Sequence, residues 1–448
     1  MGLLSDQRDA IARGDRNSVE LVADAITAAE KLQPELNAFT EIYAEEALAR
    51  ARDLDATPAE RRGPLHGVPV AVKDLYDVSG HVTSGCSRGY LDSPPALQDA
   101  PAVASLLRAG AVVIGKTNMH ELAFGATNTI SCYGRANNPW DTDRVPGGSS
   151  GGSGAAVAAR VVGMALGTDS GGSIRIPSSF TGASGLKTTW GMLPLYGMVL
   201  MAPSLDTVGP IATDAIDLAL TFHVLSGFPL PSGSAPPFRV GIARDPYFDA
   251  VDPEVAAATE EIARALAARG PALRDVSLPW AEEADDAWLT IALAEFGREH
   301  RALMDRSEDL DPTTYVILSA GTAVTPEDER RARERTVVAR AAFEEAMREI
   351  DVLLIAATPF PAPRHDDQTV SVGGTELPVH LGGPSHFTRP ISVVTAPAVA
   401  LPVGYSSEGL PLGVQLVGRR GSEMSLLQAG IAYQVETDWH TRVPPVHA

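Results

Sequence analysis

The stretch RVPGGSSGGSGAAVAARVVGMALGTDSGGSIRIP, Arg144 to Pro177, places two glycine- and serine-rich clusters at the two ends of an apolar passage. A flexible linker would be polar and featureless throughout. Here the Gly/Ser run 147–154 leads straight into AAVAARVVGMALG, a small-residue segment that predicts a buried helix packed closely on its neighbours. Thr168 and Asp169 then open a second tight cluster, SGGSIRIP. Either cluster alone reads as an ordinary turn. Two such turns flanking one buried segment bring serines from both to a shared place.

Outward from that stretch, short apolar runs alternate with helical patterns: VPVAV (68–72), then AVVIG (111–115) followed by TNMHELAFG. This alternation predicts an α/β sheet covered by helices on both faces. Before it, residues 18–55 repeat apolar positions at three- and four-residue intervals, predicting amphipathic helices with Pro34 between them, in an N-terminal helical layer spanning about residues 1–60. A core over 61–228 ends at the Pro/Ser-rich PLPSGSAPP (229–237), after which FRVGIA reads as a strand and EVAAATEEIARALAARG as a helix. Residues 281–350 are mainly helical in pattern. Within them EDERRARERTVVARAAFEEAMREI reads as a solvated, salt-bridged face. DVLLIAATP, AVALPVGY and GVQLVGR supply late strands between 351 and 420. With no internal repeat, and a Pro/Ser-rich piece too brief to separate two bodies, 1–448 is expected to form one domain.

Bulk properties exclude several classes of function. The chain has 448 residues, 44% of them hydrophobic, enough to bury a large core. Its 56 acidic and 36 basic residues give a net charge of −20, a field that repels phosphate backbones and anionic lipid, so no nucleic-acid partner is expected. Two cysteines, Cys86 and Cys132, are too few for a disulfide framework and too sparse for a CxxC metal site. A reducing cytoplasm fits that usage. The N-terminus lacks an apolar signal core, and residues 155–167, the best membrane candidate, are too short and interrupted by Arg160. No membrane association is expected.

Three motif matches fail on physical grounds. GAVVIGKT (110–117) satisfies the P-loop formula, but Val112, Val113 and Ile114 resist the curl that points successive amides at phosphate, and they prefer a strand. A nucleotide-binding protein is therefore disfavoured. GSSGG (148–152) satisfies the nucleophile-elbow formula, which needs an apolar strand leading into the serine, whereas WDTDRVPG precedes it. His120-Glu121 begins a zincin formula, yet Phe124 stands where the second histidine belongs.

Gly147 to Ser178 resembles the glycine/serine-rich signature of the amidase signature family, through GGSSGGSG and DSGGSIRIPS. GVPVAVKDLYDVSG (67–80), GKTNMHELAFG (115–125), NPWDTDRVPGGSS (138–150), PSLDTVGP (203–210) and LPLGVQLVGRR (410–420) are similar to family segments in the same order. The resemblance covers nearly the whole chain and is weakest from about 230 to 385. It implies the family fold, a large mixed β-sheet sandwiched between layers of α-helices. It also implies a Ser-Ser-Lys triad: Ser173 as nucleophile, Ser149, in a cis peptide, as the bridging serine, and Lys73 as base. A lysine can act as base only when neutral, and Lys73 closes the apolar run VPVAV, where burial disfavours its ammonium form. Backbone amides of Ser170, Gly171 and Gly172 are expected to form an oxyanion hole. Ser150 is expected to support the site by hydrogen bonding, and Asp169 with Arg175 to form a buried pair fixing the loop. Asp206 reads as structural.

The implied chemistry is acyl transfer on a small-molecule amide, with carbamate (urethane) or ester bonds open to the same machinery, and with no metal and no organic cofactor. Met192, where many family members have arginine, with Trp190, Tyr196, Met198 and Met201, favours a hydrophobic or aryl substrate. The family also includes the glutamine-hydrolysing component of tRNA-dependent amidotransferases. TPFPAPRHDDQTV (358–370) offers no persuasive counterpart of that component's glutamine-anchoring segment, so a stand-alone hydrolase, monomer or homodimer, is the favoured expectation.

Overall fold

A computed structural model describes residues 2–231, 235–268 and 270–447. The Pro/Ser-rich boundary at 229–237 and the end of the helix expected after it thus fall partly outside the described residues. In chain order the strands are β1 (Phe39–Ile42), β2 (Pro69–Lys73), β3 (Val112–Thr117), β4 (Met164–Thr168), β5 (Ser184–Lys187), β6 (Val208–Ala212), β7 (Val240–Ala243), β8 (Arg274–Val276) and β9 (Val352–Ala356). After these come β10 (Thr369–Val372), β11 (Thr375–Pro378), β12 (Ala398–Tyr405) and β13 (Pro411–Val417). Eleven of them form one mixed sheet in the order β1-β3-β2-β4-β6-β5-β12-β13-β9-β7-β8, while β10 and β11 make a separate hairpin. Strands from both halves of the sequence thus share a single sheet.

The centre of this sheet positions the chemistry. β2 runs parallel to both β3 and β4, with Ala71 opposite Ala165 and Val72 opposite Leu166. Its five residues are all buried, as expected of a strand covered on both faces, and so the apolar run carries Lys73 into the interior with it. Because the two strands are parallel and in this register, Lys73 at the end of β2 emerges beside Thr168 at the end of β4. Function at the carboxyl ends of parallel strands is the usual arrangement in open α/β sheets.

Two sequence expectations are corrected. The passage 155–167 is not one helix: the helix covers Gly151–Ala158, all of it buried, and Met164–Thr168 is strand β4. Arg160, at φ 55°, ends the helical path, and Val161, Val162 and Gly163 are poor helix formers. MALGT instead gains ladder hydrogen bonds on both sides, from β2 and β6. Pro34 does not divide two helices but lies inside the helix Ser18–Leu36. A reciprocal cap between Asn17 and Glu20 starts that helix, and its buried stripe Leu21, Ala25, Leu32, Leu36 continues past the proline, which removes only one backbone donor.

The helices expected between 281 and 350 are Ala281–Glu299, Pro312–Ala323 and Pro326–Ala346. The last carries surface pairs such as Arg330–Glu327 and Arg331–Asp328, in keeping with its charge pattern. Within GAVVIGKT, Val112–Thr117 forms the buried strand β3, so the segment between the two motif glycines is extended and not curled around a phosphate. Among the described residues, no helix is long and apolar enough to cross a membrane.

Candidate active site

Lys73 is fully buried, and its Nζ lies 2.7 Å from Ser149 Oγ and 2.9 Å from Thr168 Oγ1. Burial pushes the amine down to about 7 from an ordinary 10.5, against the opposing charges of Asp206 and Asp169. The amine is therefore far closer to its uncharged form near neutral pH than an exposed lysine, and it lies within hydrogen-bond reach of both hydroxyls. The peptide Gly148–Ser149 is cis, as the resemblance implied. The Ser149 carbonyl accepts from the amide of His120, which ties the cluster to the loop after β3. Burial holds His120 itself down at about 3, hence neutral.

Ser173 is joined to this cluster through the backbone, since the Ser150 amide donates to the Ser173 carbonyl at 3.2 Å. Ser150 Oγ also donates to the Thr168 carbonyl at 3.3 Å, spanning β4 and the first glycine turn. The supporting role expected of Ser150 is thus a bridge between the two turns.

The second turn is organised by Asp169 and Arg175, both wholly inaccessible to solvent and paired at 2.8 Å. Burial alone would raise the Asp169 carboxyl. The charge and hydrogen bonds of Arg175 overcome this, with help from Lys187 and the Ile174 amide, and the net direction is down. Asp169 also accepts from the amides of Gly172, Ile174 and Arg175. Arg175 extends the network to Gln415 Oε1 and Ser392 Oγ, both at 2.8 Å.

This network corrects one expected role. The Gly172 amide donates to Asp169 Oδ1 at 2.7 Å, so it is already spent inside the chain. Gly172 serves instead through conformation: its φ is +133°, and a Cβ there would stand 2.3 Å from Thr388 Oγ1. Among the described residues, the amides of Ser170, Gly171 and Ser173 have no chain acceptor. They are the donors available to an oxyanion.

Residues far away in sequence hold the turn from outside. The indole N–H of Trp288 donates to the Ser170 carbonyl at 2.8 Å, and its ring packs so closely that a Cβ at Gly171 would stand 2.4 Å from it. Thr388 Oγ1 donates to the Gly171 carbonyl at 2.5 Å. Ser170 Oγ donates to Asp206 at 2.5 Å, and Asp206 also accepts from the amides of Met201 and Ala202. Burial pushes the Asp206 carboxyl up to about 7. Asp206 thus has a structural place and an electrostatic one, because its charge favours the ammonium form of Lys73.

Ser173, Gly148 and Gly171 open on a cavity of about 270 Å³. Its apolar wall includes Phe124, Met201, Trp288, Leu289, Leu293 and Ile317, and His380, Ser385 and Arg389 add polar groups. The expected pocket residues are corrected here: Trp190, Met192, Tyr196 and Met198 do not line this cavity, and of that segment only Met201 does. Backbone pairing explains it. Gly197 and Val199 bond to Asp77 and Leu75, and Met198 bridges Tyr76, which ties the segment down along β2's continuation. Tyr196 is left 71% exposed, and the Trp190 indole turns to the Pro203 carbonyl. The helices Ala281–Glu299 and Pro312–Ala323 supply the wall instead, and nothing in their residue pattern marked them for that task.

Comparison with known proteins places this geometry. The Amidase family profile matches residues 20–427. The A subunit of the glutamyl-tRNA(Gln) amidotransferase from Roseiflexus sp. (strain RS-1) is 34% identical, with 98% of this chain and 97% of that protein covered. Among solved structures, a chain described with a vestigial protein complex and the origins of an s-triazine catabolic enzyme superposes with TM-score 0.92 at 32% identity, covering 97% of this chain and 98% of that one. The corresponding amidotransferase component of Thermotoga maritima superposes with TM-score 0.78 at 27% identity, covering 94% and 92%. The curated relatives therefore favour the amidotransferase alternative over the stand-alone hydrolase that the sequence favoured.

Proposed function

This chain belongs to the amidase family, and from that premise we propose that it hydrolyses the C–N bond of small, largely apolar carboxamides through an acyl-enzyme on Ser173. In this reading neutral Lys73 takes the proton of Ser149 as Ser149 takes that of Ser173, and the Ser173 oxygen attacks the substrate carbonyl. The amides of Gly171 and Ser173 meet the developing oxyanion, each such donor contributing about 3 kcal/mol. The proton returns through Ser149 to the leaving amine, and water then releases the acid. Carbamates present the same planar carbonyl and enter the same scheme.

The observation that carries the substrate class is the cavity. Phe124, Met201, Trp288, Leu293 and Ile317 surround the space in front of Ser173, and the arginine there is already paired with Asp285. A free glutamine brings an ammonium and a carboxylate, which need partners when buried. The second reading, the glutamine-hydrolysing component of an amidotransferase, is supported by 34% identity across 98% of the chain.

A panel of benzamide, an aryl carbamate and glutamine, with ammonia or amine release as readout, separates the two. The apolar reading expects benzamide to be cleaved by the chain alone, with kcat/KM at least about tenfold above glutamine. Glutamine cleavage exceeding benzamide cleavage, or turnover only in the presence of partner proteins, would establish the other.

A further inference from the structure

One wall of the cavity carries a charged pair that acyl transfer does not use. Arg389, at the start of the short helix Arg389–Val393, meets Asp285 on Ala281–Glu299, with Nε–Oδ1 at 2.6 Å and Nη2 donating to Oδ2 at 2.8 Å. The two side chains are 13% and 17% exposed. Both contacts use the Nε/Nη2 edge of the guanidinium. Nη1 lies beside Gly382 and, among the described residues, donates to no acceptor. The guanidinium carbon stands 5.3 Å from the centre of the Trp288 ring, the same ring whose N–H holds the Ser170 carbonyl. A single aromatic side chain thus separates this donor from the catalytic turn.

Arg389 and Gly382 both line the apolar cavity, so a guanidinium nitrogen without an acceptor beside Gly382 can serve as a recognition group there, and its charge balance says for what. Asp285 neutralises Arg389 locally, and the chain as a whole carries −20. A carboxylate at Nη1 would be desolvated beside a pair with no net charge to offer it. An uncharged carbonyl accepts the same N–H and brings no charge into the cavity.

We propose that Arg389, held by Asp285, forms a specificity-determining subsite that selects amide substrates bearing a second, uncharged carbonyl remote from the scissile one and disfavours a carboxylate at that position. This rests on the reading of Ser173 as an amide-cleaving nucleophile and deepens it to a substrate class.

The test uses benzamides substituted at the meta or para position with acetyl, isopropyl or carboxylate. Isopropyl matches acetyl in shape but accepts no hydrogen bond. In the wild-type chain the better acetyl isomer should exceed its isopropyl counterpart about tenfold in kcat/KM, with the carboxylate poorest. Arg389→Met should bring the acetyl-to-isopropyl ratio to about one. Asp285→Asn, which keeps the shape and leaves Arg389 with net charge, should raise the carboxylate-to-acetyl ratio about tenfold or more. The same ligands are titrated calorimetrically into Ser173→Ala, alone and combined with each substitution, and thermal melting identifies any variant that does not fold. Failure of wild type to cleave any benzamide would defeat the hydrolytic reading, and the binding ratios would still decide the subsite. Acetyl-to-isopropyl ratios equal in wild type and Arg389→Met, or a carboxylate ratio unmoved by Asp285→Asn, would overturn the proposal.

Discussion

Lys73→Met is expected to lower kcat/KM for a cleaved amide by about 10³- to 10⁴-fold with little change in melting temperature. Methionine fills the space, and removing a buried amine relieves a desolvation cost instead of adding one. The wild-type pH profile carries the same information. With Lys73 pushed down to about 7, the neutral base is the minor form in acid, so kcat/KM should rise about tenfold per pH unit up to about 7 and then level off. Asp206 opposes that shift, because its carboxylate favours the ammonium. Asp206→Asn should therefore move the midpoint to lower pH. A profile flat between pH 5 and 8, or a Lys73→Met enzyme within tenfold of wild type, would remove lysine as the base.

The largest effect on stability is expected from Asp169→Ala. The substitution strands Arg175, fully buried, without its ion-pair partner and takes the acceptor from the amides of Gly172, Ile174 and Arg175. Removing one member of a buried pair costs about 3–5 kcal/mol, measurable by urea unfolding. Because the Asp169 carboxyl is lowered in the folded chain, its stabilisation is complete above the ordinary aspartate value of about 3.9 and fades as pH falls through the lowered one. The gap between wild type and Asp169→Ala should accordingly narrow in acid. A gap below about 1 kcal/mol at neutral pH would mean that the turn holds itself without this pair.

The sequence made the centre of the site legible because backbone geometry there is demanding. The runs VPVAV and AVVIG could hardly be anything but buried strands, and the glycines of 147–154 and 170–173 mark turns that few other residues tolerate. Those constraints together with the family resemblance singled out Lys73, Ser149, Ser150, Asp169 and Arg175, and the structure joins Lys73 to Ser149, Ser150 to the end of β4 and Asp169 to Arg175. The helix expected over 155–167 failed because apolar small residues fit a buried strand as well as a buried helix, and only pairing with β2 and β6 decides between them. The cavity wall failed for a different reason. Trp288, Ile317 and Arg389 reach Ser173 from residues more than a hundred positions away, by helix packing that leaves no local periodic mark. The aromatic and methionine cluster at 190–201 was conspicuous in sequence, yet backbone pairing with 75–77 commits most of it elsewhere.

The central claim is that an uncharged Lys73, acting through Ser149, makes Ser173 the nucleophile. The most direct measurement traps the acyl-enzyme from a slowly deacylating aryl carbamate or amide at several pH values and locates the added mass. Cleavage after Arg144, Arg160 and Arg175 separates Ser149, in 145–160, from Ser173, in 161–175, and fragmentation distinguishes Ser173 from Ser170. The account predicts the acyl group on Ser173 alone, formed at a rate that climbs with pH to a plateau above about 7 and collapses in Lys73→Met. An acyl group on Ser149 or Ser170, or one formed on Ser173 at the same rate with and without the lysine, would contradict it.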